Sequence, residues 1–259
     1  MSDQTIPADD RGLLLGDGLF ETILAVDGAL VRFTRHVARM ARGCAVVGIR
    51  PPDEAAARAA AERALDLAGL SEGRAAVRLT LTAGTGRGLE RPFPATGRLI
   101  AQASAAASAP ARPIGLALSG IRRNQSSPLS RVKSLSYLDN ILARREARQA
   151  GAEEALMLNG DGEIACAAAA NLFWVAEGRL WTPSLDCGVL EGIVRGVVIA
   201  AAQGLGVETV QAAAPLQALE RAEGVFLTNS LMGIRAAGSL DGRPLPASRL
   251  VDEISSRCS

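Results

Sequence analysis

An alanine-, serine- and proline-rich tract at 104–113 interrupts a chain that otherwise alternates short β-strand patterns with a few helical ones. Such a composition is typical of linkers, because it offers few large side chains to a hydrophobic core. We therefore place a domain boundary near residue 108, between a small N-terminal α/β domain at 1–107 and a larger C-terminal domain at 108–259. A chain of 259 residues is long enough for each domain to bury its own core.

Hydrophobic periodicity predicts α/β or α+β layers in both domains. In the first domain, a hairpin at 20–33 turns at 26–28, and Thr34 is the predicted N-cap of a helix at 35–47. A second helix is predicted from Asp53 to Ala68, ending at Gly69, and strands are predicted at 75–82 and 98–105. The C-terminal domain has predicted helices at 137–150 and 193–204 and predicted strands at 114–121, 154–158, 162–165, 170–175, 179–181, 207–211 and 224–227.

Charge and composition exclude several classes of protein. The 28 Lys and Arg residues nearly balance the 27 Asp and Glu residues, so no strong field attracts nucleic acid or an anionic membrane surface. The first ten residues are acidic and lack the apolar segment of a signal peptide, so we expect a cytoplasmic protein. No apolar stretch reaches the roughly 20 residues that a membrane-spanning helix needs. Four scattered cysteines and a single histidine argue against a metal site and against disulfides.

The chain contains a single lysine, Lys133, among its 28 Lys and Arg residues. Arginine can replace lysine at most surface positions, but it cannot form a Schiff base, which requires a primary amine that loses its proton. Lys133 is therefore a candidate for covalent chemistry with a carbonyl group. The alternative is that a composition favouring arginine has left one exposed lysine by accident.

Seven strings follow one another along nearly the whole chain: Asp10–Thr22, His36–Arg39, Arg123–Asn140, Ala170–Trp174, Thr182–Pro183, Gly192–Arg195 and Thr228–Ser230. In this order they resemble the fold-type IV pyridoxal-phosphate enzymes, or class IV aminotransferases, and in particular their aminodeoxychorismate lyase and D-amino-acid aminotransferase branch. The resemblance implies two domains with pyridoxal 5'-phosphate between them, in a homodimer whose small-domain loops complete the partner's site.

The resemblance implies a role for individual residues. Lys133 matches the lysine that binds the cofactor as a Schiff base and then carries a proton, which requires a lowered pKa. Arg39 matches the arginine that binds the cofactor phosphate, although it could also be a helix-surface residue. The other implied cofactor contacts are Ile193, Val194, Asn229, Ser230 and Tyr137. For Asn229 and Ser230 the alternative is a simple turn, and for Tyr137 it is packing in the core.

One position departs from the family pattern. Five residues before Asn171, where the family has a glutamate that hydrogen-bonds the pyridine nitrogen, this chain has Cys166. A thiol is a weak hydrogen-bonding group, so the cofactor ring would be a poorer electron sink. Glu163 is not an obvious substitute, because it is three residues away on a predicted strand and points to the opposite face. The alternative is that Cys166 is simply a small buried apolar residue.

These residues lead to three functional hypotheses. The first is a 4-amino-4-deoxychorismate lyase of folate biosynthesis, which releases pyruvate and forms 4-aminobenzoate, because formation of an aromatic ring offsets a weak electron sink. The second is an aminotransferase for D-amino or branched-chain amino acids. The third is a binding protein whose cofactor chemistry is altered or lost. Arg87, in a glycine-rich loop, is a candidate anchor for a substrate carboxylate, unless it simply faces solvent.

Overall fold

The structure is a computed structural model that describes residues 5–108, 110 and 112–258. Its contacts divide the chain into two compact units. The first unit extends to Ser108 and also includes Val132–Ser136, and the second comprises the remaining residues. This division corrects one assignment of the sequence analysis, which placed the lysine-bearing segment 132–136 in the C-terminal domain. Within the described part of the chain, no helix is long and apolar enough to cross a membrane.

The first unit is a four-stranded antiparallel sheet, in the order β2-β1-β3-β4, with two long helices. Leu19 and Ile23 alternate along β1 toward one face, where Val37 and Met40 of α2 join them in the core. The elements of this unit are α1 (Arg11–Leu15), β1 (Gly18–Val26), β2 (Ala29–Leu30), α2 (Phe33–Val47), α3 (Glu54–Ala68), β3 (Arg74–Thr82) and β4 (Arg98–Ala105).

The caps of α3 are confirmed, whereas the predicted start of α2 is wrong. Asp53 accepts a hydrogen bond from the Ala56 amide at 2.9 Å, and Gly69 ends α3 with a φ of 66°. The N-cap of α2 is Arg32 rather than Thr34, because Arg32 already reverses the chain in the left-handed region with a φ of 55°. The predicted second strand of the hairpin consequently ends at Leu30.

The second unit contains a nine-stranded mixed sheet. Its path is β10-β9-β8-β11-β12-β5-β6-β7, and β13 pairs with β12. The elements are β5 (Ile114–Leu118), α4 (Leu138–Gln149), β6 (Glu154–Leu158), β7 (Ile164–Ala167), β8 (Asn171–Ala176), β9 (Arg179–Thr182), α5 (Ile193–Gly204), β10 (Thr209–Gln211), β11 (Gly224–Asn229), β12 (Gly233–Leu240), β13 (Arg243–Pro244) and α6 (Arg249–Cys258). The sequence analysis missed β12, β13 and α6, as well as α1 in the first unit.

Helices α5 and α6 cover the centre of this sheet. The rings of Phe173 on β8 and Phe226 on β11 stack at 5.0 Å, and Val198 of α5 and Ile254 of α6 are buried in the same cluster. The packing fixes α5 against β8 and β11. It thereby determines which strand residues lie beside the first turn of α5.

Candidate active site

Lys133 is attached to the start of strand β1 by backbone hydrogen bonds. The Phe20 amide donates to the Lys133 carbonyl, and the Leu135 amide donates to the Gly18 carbonyl, both at 2.9 Å. Strand β3 pairs with β1 along its whole length, so these bonds occupy the other edge of β1. The pairing gives Lys133 a defined backbone position at the edge of the small sheet.

The aromatic ring of Phe20 contacts two cationic side chains. The Lys133 Nζ lies 4.1 Å from the ring centroid, and the Arg78 Cζ lies 3.8 Å from it. Both distances are within the range of cation–π interactions. Arg78 of β3 is paired with Thr22 and therefore lies on the same face of the sheet as Phe20. One phenyl ring thus contacts both an amine and a guanidinium.

A buried ion cluster joins β1 to helix α2. The Glu21 carboxylate, only 1% exposed, accepts hydrogen bonds from Arg39 Nε at 2.8 Å and from Arg39 Nη2 at 2.5 Å. Its Oε2 also lies 2.7 Å from His36 Nδ1. His36 and Arg39 are three residues apart on α2 and so present their side chains to the same strand.

Sequence reasoning gave Glu21 no role, although one signal was available. Glu21 alternates with Leu19 and Ile23, which are core residues of the same strand. A carboxylate in such an apolar stripe needs a cationic partner, because burying an unpaired charge is costly.

The surroundings of Lys133 favour an unprotonated amine. Burial lowers the pKa of Lys133 to about 7, with Arg39 and Arg78 acting in the same direction and Glu21 opposing them. Burial by itself would raise the pKa of Glu21, but the hydrogen bonds from Arg39 and His36 outweigh it and hold that pKa below its ordinary value. At neutral pH, a large share of Lys133 can therefore act as a nucleophile or a base, as the sequence analysis required.

In the second unit, the start of helix α5 has the character of an anion site. Its N-cap is Gly192, which has no side chain to cap the N–H groups of the first turn. The buried Thr228 hydroxyl finds no hydrogen-bond partner among the residues that the structure describes. Thr228 on β11 pairs with Asn171 on β8, whose side-chain oxygen lies against Gly192. Backbone donors, a helix dipole and an unsatisfied hydroxyl suit a phosphate group.

Replacing Gly192 by alanine tests how closely Asn171 and the first turn of α5 are packed. An alanine Cβ would collide with Asn171 Oδ1, although a φ of −70° and a ψ of 140° suit any residue. We expect Gly192→Ala to lower the free energy of unfolding by about 1–3 kcal/mol. Gly196, exposed in the same helix with open space around its Cβ position, is the matched control. Gly196→Ala should instead stabilise by up to about 1 kcal/mol. Urea unfolding measures both, and equal effects would contradict the prediction.

Cys166 lies on β7 opposite Met157 and packs in an apolar cluster with Cys187 and Val189. Burial raises the pKa of the Cys166 thiol, so it remains protonated at neutral pH. Strand β7 begins at Ile164, so the prediction that Glu163 lies on the same strand as Cys166 was wrong. The Glu163 carboxylate instead accepts a hydrogen bond from Asn159 Nδ2 at 2.8 Å.

The remaining predicted site residues lie in four places. Asn229 ends β11, where its side-chain oxygen accepts from the amides of Leu231 and Met232 and its Nδ2 donates to the Ala169 carbonyl. Its amide group is thus committed to the turn that carries Ser230. Tyr137 is half-buried at the N-cap position of α4, Arg87 is exposed in its loop, and Ile193 and Val194 are buried in the first turn of α5.

Within the described residues, no group of three or more His, Cys, Asp or Glu side chains is arranged to hold a metal ion. The side chains around Lys133 in the first unit suit an organic group, and the donors at the start of α5 in the second unit suit a phosphate. A carbonyl group fits the Lys133 amine, and a phosphate fits arginine and helix-start donors.

Comparison with known proteins identifies a family, related sequences and solved structures that are similar to this chain. The family model described as amino-transferase class IV matches residues 18–240. An aminodeoxychorismate lyase of Bacillus subtilis is 30% identical over 239 residues, which cover 90% of this chain and 80% of the relative. A D-alanine aminotransferase of Listeria monocytogenes is 29% identical, with 93% and 84% covered. The solved structure of a 4-amino-4-deoxychorismate lyase from Pseudomonas aeruginosa is 32% identical and superimposes with a TM-score of 0.88, covering 99% of this chain and 95% of that one.

Proposed function

Because the chain belongs to the class IV aminotransferase family, whose members are pyridoxal-phosphate enzymes, we propose that it is a 4-amino-4-deoxychorismate lyase. The reaction would release pyruvate and form 4-aminobenzoate, a precursor for folate synthesis. We propose that it works as a cytoplasmic homodimer, which rests on the family resemblance. The relatives in Bacillus subtilis and Pseudomonas aeruginosa support the lyase activity.

Each unit contains donor groups that fit a part of pyridoxal phosphate. In the first unit, Lys133 provides an amine for the cofactor aldehyde, and Arg39 provides a guanidinium for the phosphate. In the second unit, the first-turn amides of α5 and the unsatisfied Thr228 hydroxyl are phosphate donors. When bound, the cofactor supplies a conjugated ring that withdraws electrons from the reacting carbon.

Lys133 is the proton carrier of the proposed reaction. With a pKa of about 7, its amine can take the proton from the amine-bearing carbon of the substrate and return it at neutral pH. The C–O bond at the adjacent carbon then breaks, the departing enolpyruvate takes up the proton and becomes pyruvate, and the remaining ring becomes aromatic. Arg78, held beside Lys133 on the Phe20 ring, offers a positive charge to a substrate with two carboxylates. Arg87 remains our proposed second anchor, reaching the substrate from its exposed loop.

The observation that carries the choice of a lyase is the buried, protonated thiol of Cys166. By the family resemblance, this position faces the pyridine nitrogen, and a thiol cannot hold a proton there as a carboxylate does. Transamination depends on the electron sink in both half-reactions, whereas the elimination gains from forming an aromatic ring. The weakened sink therefore costs a transaminase more than it costs a lyase.

An aminotransferase is the second candidate, favoured by the relative in Listeria monocytogenes. The two activities differ in their need for an acceptor acid. We expect the purified protein with pyridoxal phosphate to release pyruvate and 4-aminobenzoate from 4-amino-4-deoxychorismate with no 2-oxo acid present. Matched assays would supply 2-oxoglutarate with D-alanine or with a branched-chain amino acid. Rapid amino transfer together with a poor lyase rate would overturn the proposal.

A binding protein without cofactor chemistry is the third candidate. The half-buried position of Lys133 and its lowered pKa oppose it, because a lysine left by accident would be exposed with an ordinary pKa. Failure of the protein to bind pyridoxal phosphate at any pH would favour it over both enzymes.

A further inference from the structure

A buried charged cluster of the first unit includes the residue that directly follows Phe20, whose ring contacts the Lys133 amine. It consists of Glu21, His36 and Arg39, which are between 1% and 8% exposed. We propose that Glu21 is a positioning residue, which fixes the Arg39 guanidinium and sets the balance of charge around the Lys133 amine. The inference concerns the reaction only if Lys133 has its proposed role, but its test does not depend on that role.

The geometry around Glu21 leaves the carboxylate little freedom. Arg39 binds it through Nε and Nη2, so that two parallel hydrogen bonds define the plane of the guanidinium. The third contact comes from His36, 2.7 Å away. An ionised carboxylate can only accept hydrogen bonds, so His36 Nδ1 carries the proton and donates it. Arg39 and His36 therefore both bind the Glu21 carboxylate, which in turn orients the Arg39 guanidinium.

The charged groups that act on Lys133 come from three elements. Glu21 of β1 favours the ammonium form, whereas Arg39 of α2 and Arg78 of β3 favour the neutral amine. The Glu21–Arg39 pair is nearly neutral as a unit, so each member masks the effect of the other on Lys133. Removing Glu21 alone should therefore lower the pKa of Lys133, and removing Arg39 alone should raise it.

Two substitutions should therefore move the titration of Lys133 in opposite directions. Glu21→Gln removes the negative charge while keeping a side-chain oxygen for Arg39, so the pKa of Lys133 should fall by about one unit. Arg39→Gln removes the positive charge and leaves Glu21 unmasked, so the pKa of Lys133 should rise. A purely structural role predicts a different result, because disruption of the site would move both variants up toward the ordinary lysine pKa of about 10.4.

The single lysine makes the measurement direct. The full chain, freed of cofactor, would be treated with acetic anhydride at a series of pH values between about 5 and 9. Mass spectrometry of the peptide that contains Lys133 would then report its acetylation rate, separately from that of the N-terminal amine. Only the neutral amine reacts, so the rate follows the unprotonated fraction of Lys133. The readout requires neither bound cofactor nor enzyme activity.

At pH 6 we expect Glu21→Gln to be acetylated roughly fivefold faster than the natural protein, which corresponds to a shift of about one unit. Arg39→Gln should be acetylated more slowly. Glu62→Gln, which removes an exposed carboxylate from α3 in the same unit, is the matched control and should leave the rate unchanged.

An unchanged or slower rate in Glu21→Gln would overturn the proposal. Near-ultraviolet circular dichroism would show whether each variant is folded. If Glu21→Gln does not fold, Glu21→Asp takes its place; it keeps the charge, so its acetylation midpoint should stay within about half a unit of the natural protein's while Arg39→Gln shifts upward. A large upward shift in Glu21→Asp would count against the proposal. If the two variants shift the pKa of Lys133 in opposite directions but the protein has no lyase activity, the inference holds and only the proposed function is overturned.

Discussion

Lys133→Ala is expected to abolish covalent attachment of pyridoxal phosphate and to lower turnover by about three to four orders of magnitude or more. Lys133 is the only lysine in the chain, so no neighbouring side-chain amine can take over. Arg39 and Arg78 lie near Lys133, but a guanidinium does not lose its proton to become a nucleophile. Addition of pyridoxal phosphate followed by borohydride reduction would measure the loss, since reduction links the cofactor permanently to residue 133 and mass spectrometry locates it.

Lys133→Arg is the matched control for charge. It keeps a cation near the Phe20 ring but provides no amine for the cofactor, so it should be as inactive as Lys133→Ala. Retention of a reducible adduct in either variant would contradict the assignment of Lys133. If both variants kept the absorbance band that added cofactor produces in the natural protein, that would also contradict the assignment of Lys133.

The second large effect is on stability, and it is expected from Glu21→Ala. The substitution leaves Arg39 as an uncompensated buried charge and removes the acceptor of His36. Breaking a buried ion pair in this way typically costs about 3–5 kcal/mol of unfolding free energy. Urea unfolding followed by circular dichroism would measure the change. Glu62→Ala, an exposed position on α3, should stay within about 0.5 kcal/mol of the natural protein.

Glu21→Ala should also change how the free energy of unfolding depends on pH. Because Arg39 and His36 hold the pKa of Glu21 below its unfolded value, the stability that this carboxylate contributes is present above the ordinary glutamate pKa of about 4.3. It is lost as the pH falls through the lower pKa of the folded state. Glu21→Ala should lack this part of the acid-induced loss. A variant that retained the full acid dependence would show that other carboxylates cause it.

Local signals were sufficient for several elements. Asp53 and Gly69 were identified as the ends of α3, because a cap depends on a side chain or a φ angle within a few residues of the helix end. The bounds of β4 were predicted as the structure has them, since apolar and small residues run between clear turn signals. The same reasoning failed for β12, whose Gly233–Leu240 segment mixes glycine, arginine and serine and is half-buried almost throughout.

The start of α2 shows a limit of capping preferences. Thr34 is a good capping residue, but Arg32 takes the N-cap position because the chain must turn directly from β2 into the helix. The Thr34 hydroxyl instead donates to Glu54 Oε1 at 2.7 Å. The direct connection from β2 to α2 therefore outweighed the capping preference of Thr34.

The sequence by itself determined which chemistry is open to this protein. A single primary amine among 28 basic side chains, within an ordered set of motifs, identifies Lys133 and the family, because amine chemistry depends on the residue type alone. Only the tertiary structure decided where that amine lies and how it is charged. The backbone bonds to β1 place Lys133 in the first unit, and Glu21, Arg39 and Arg78 act on its charge from three separate elements. Burial and charge act through space, so no local pattern could have shown that these residues meet.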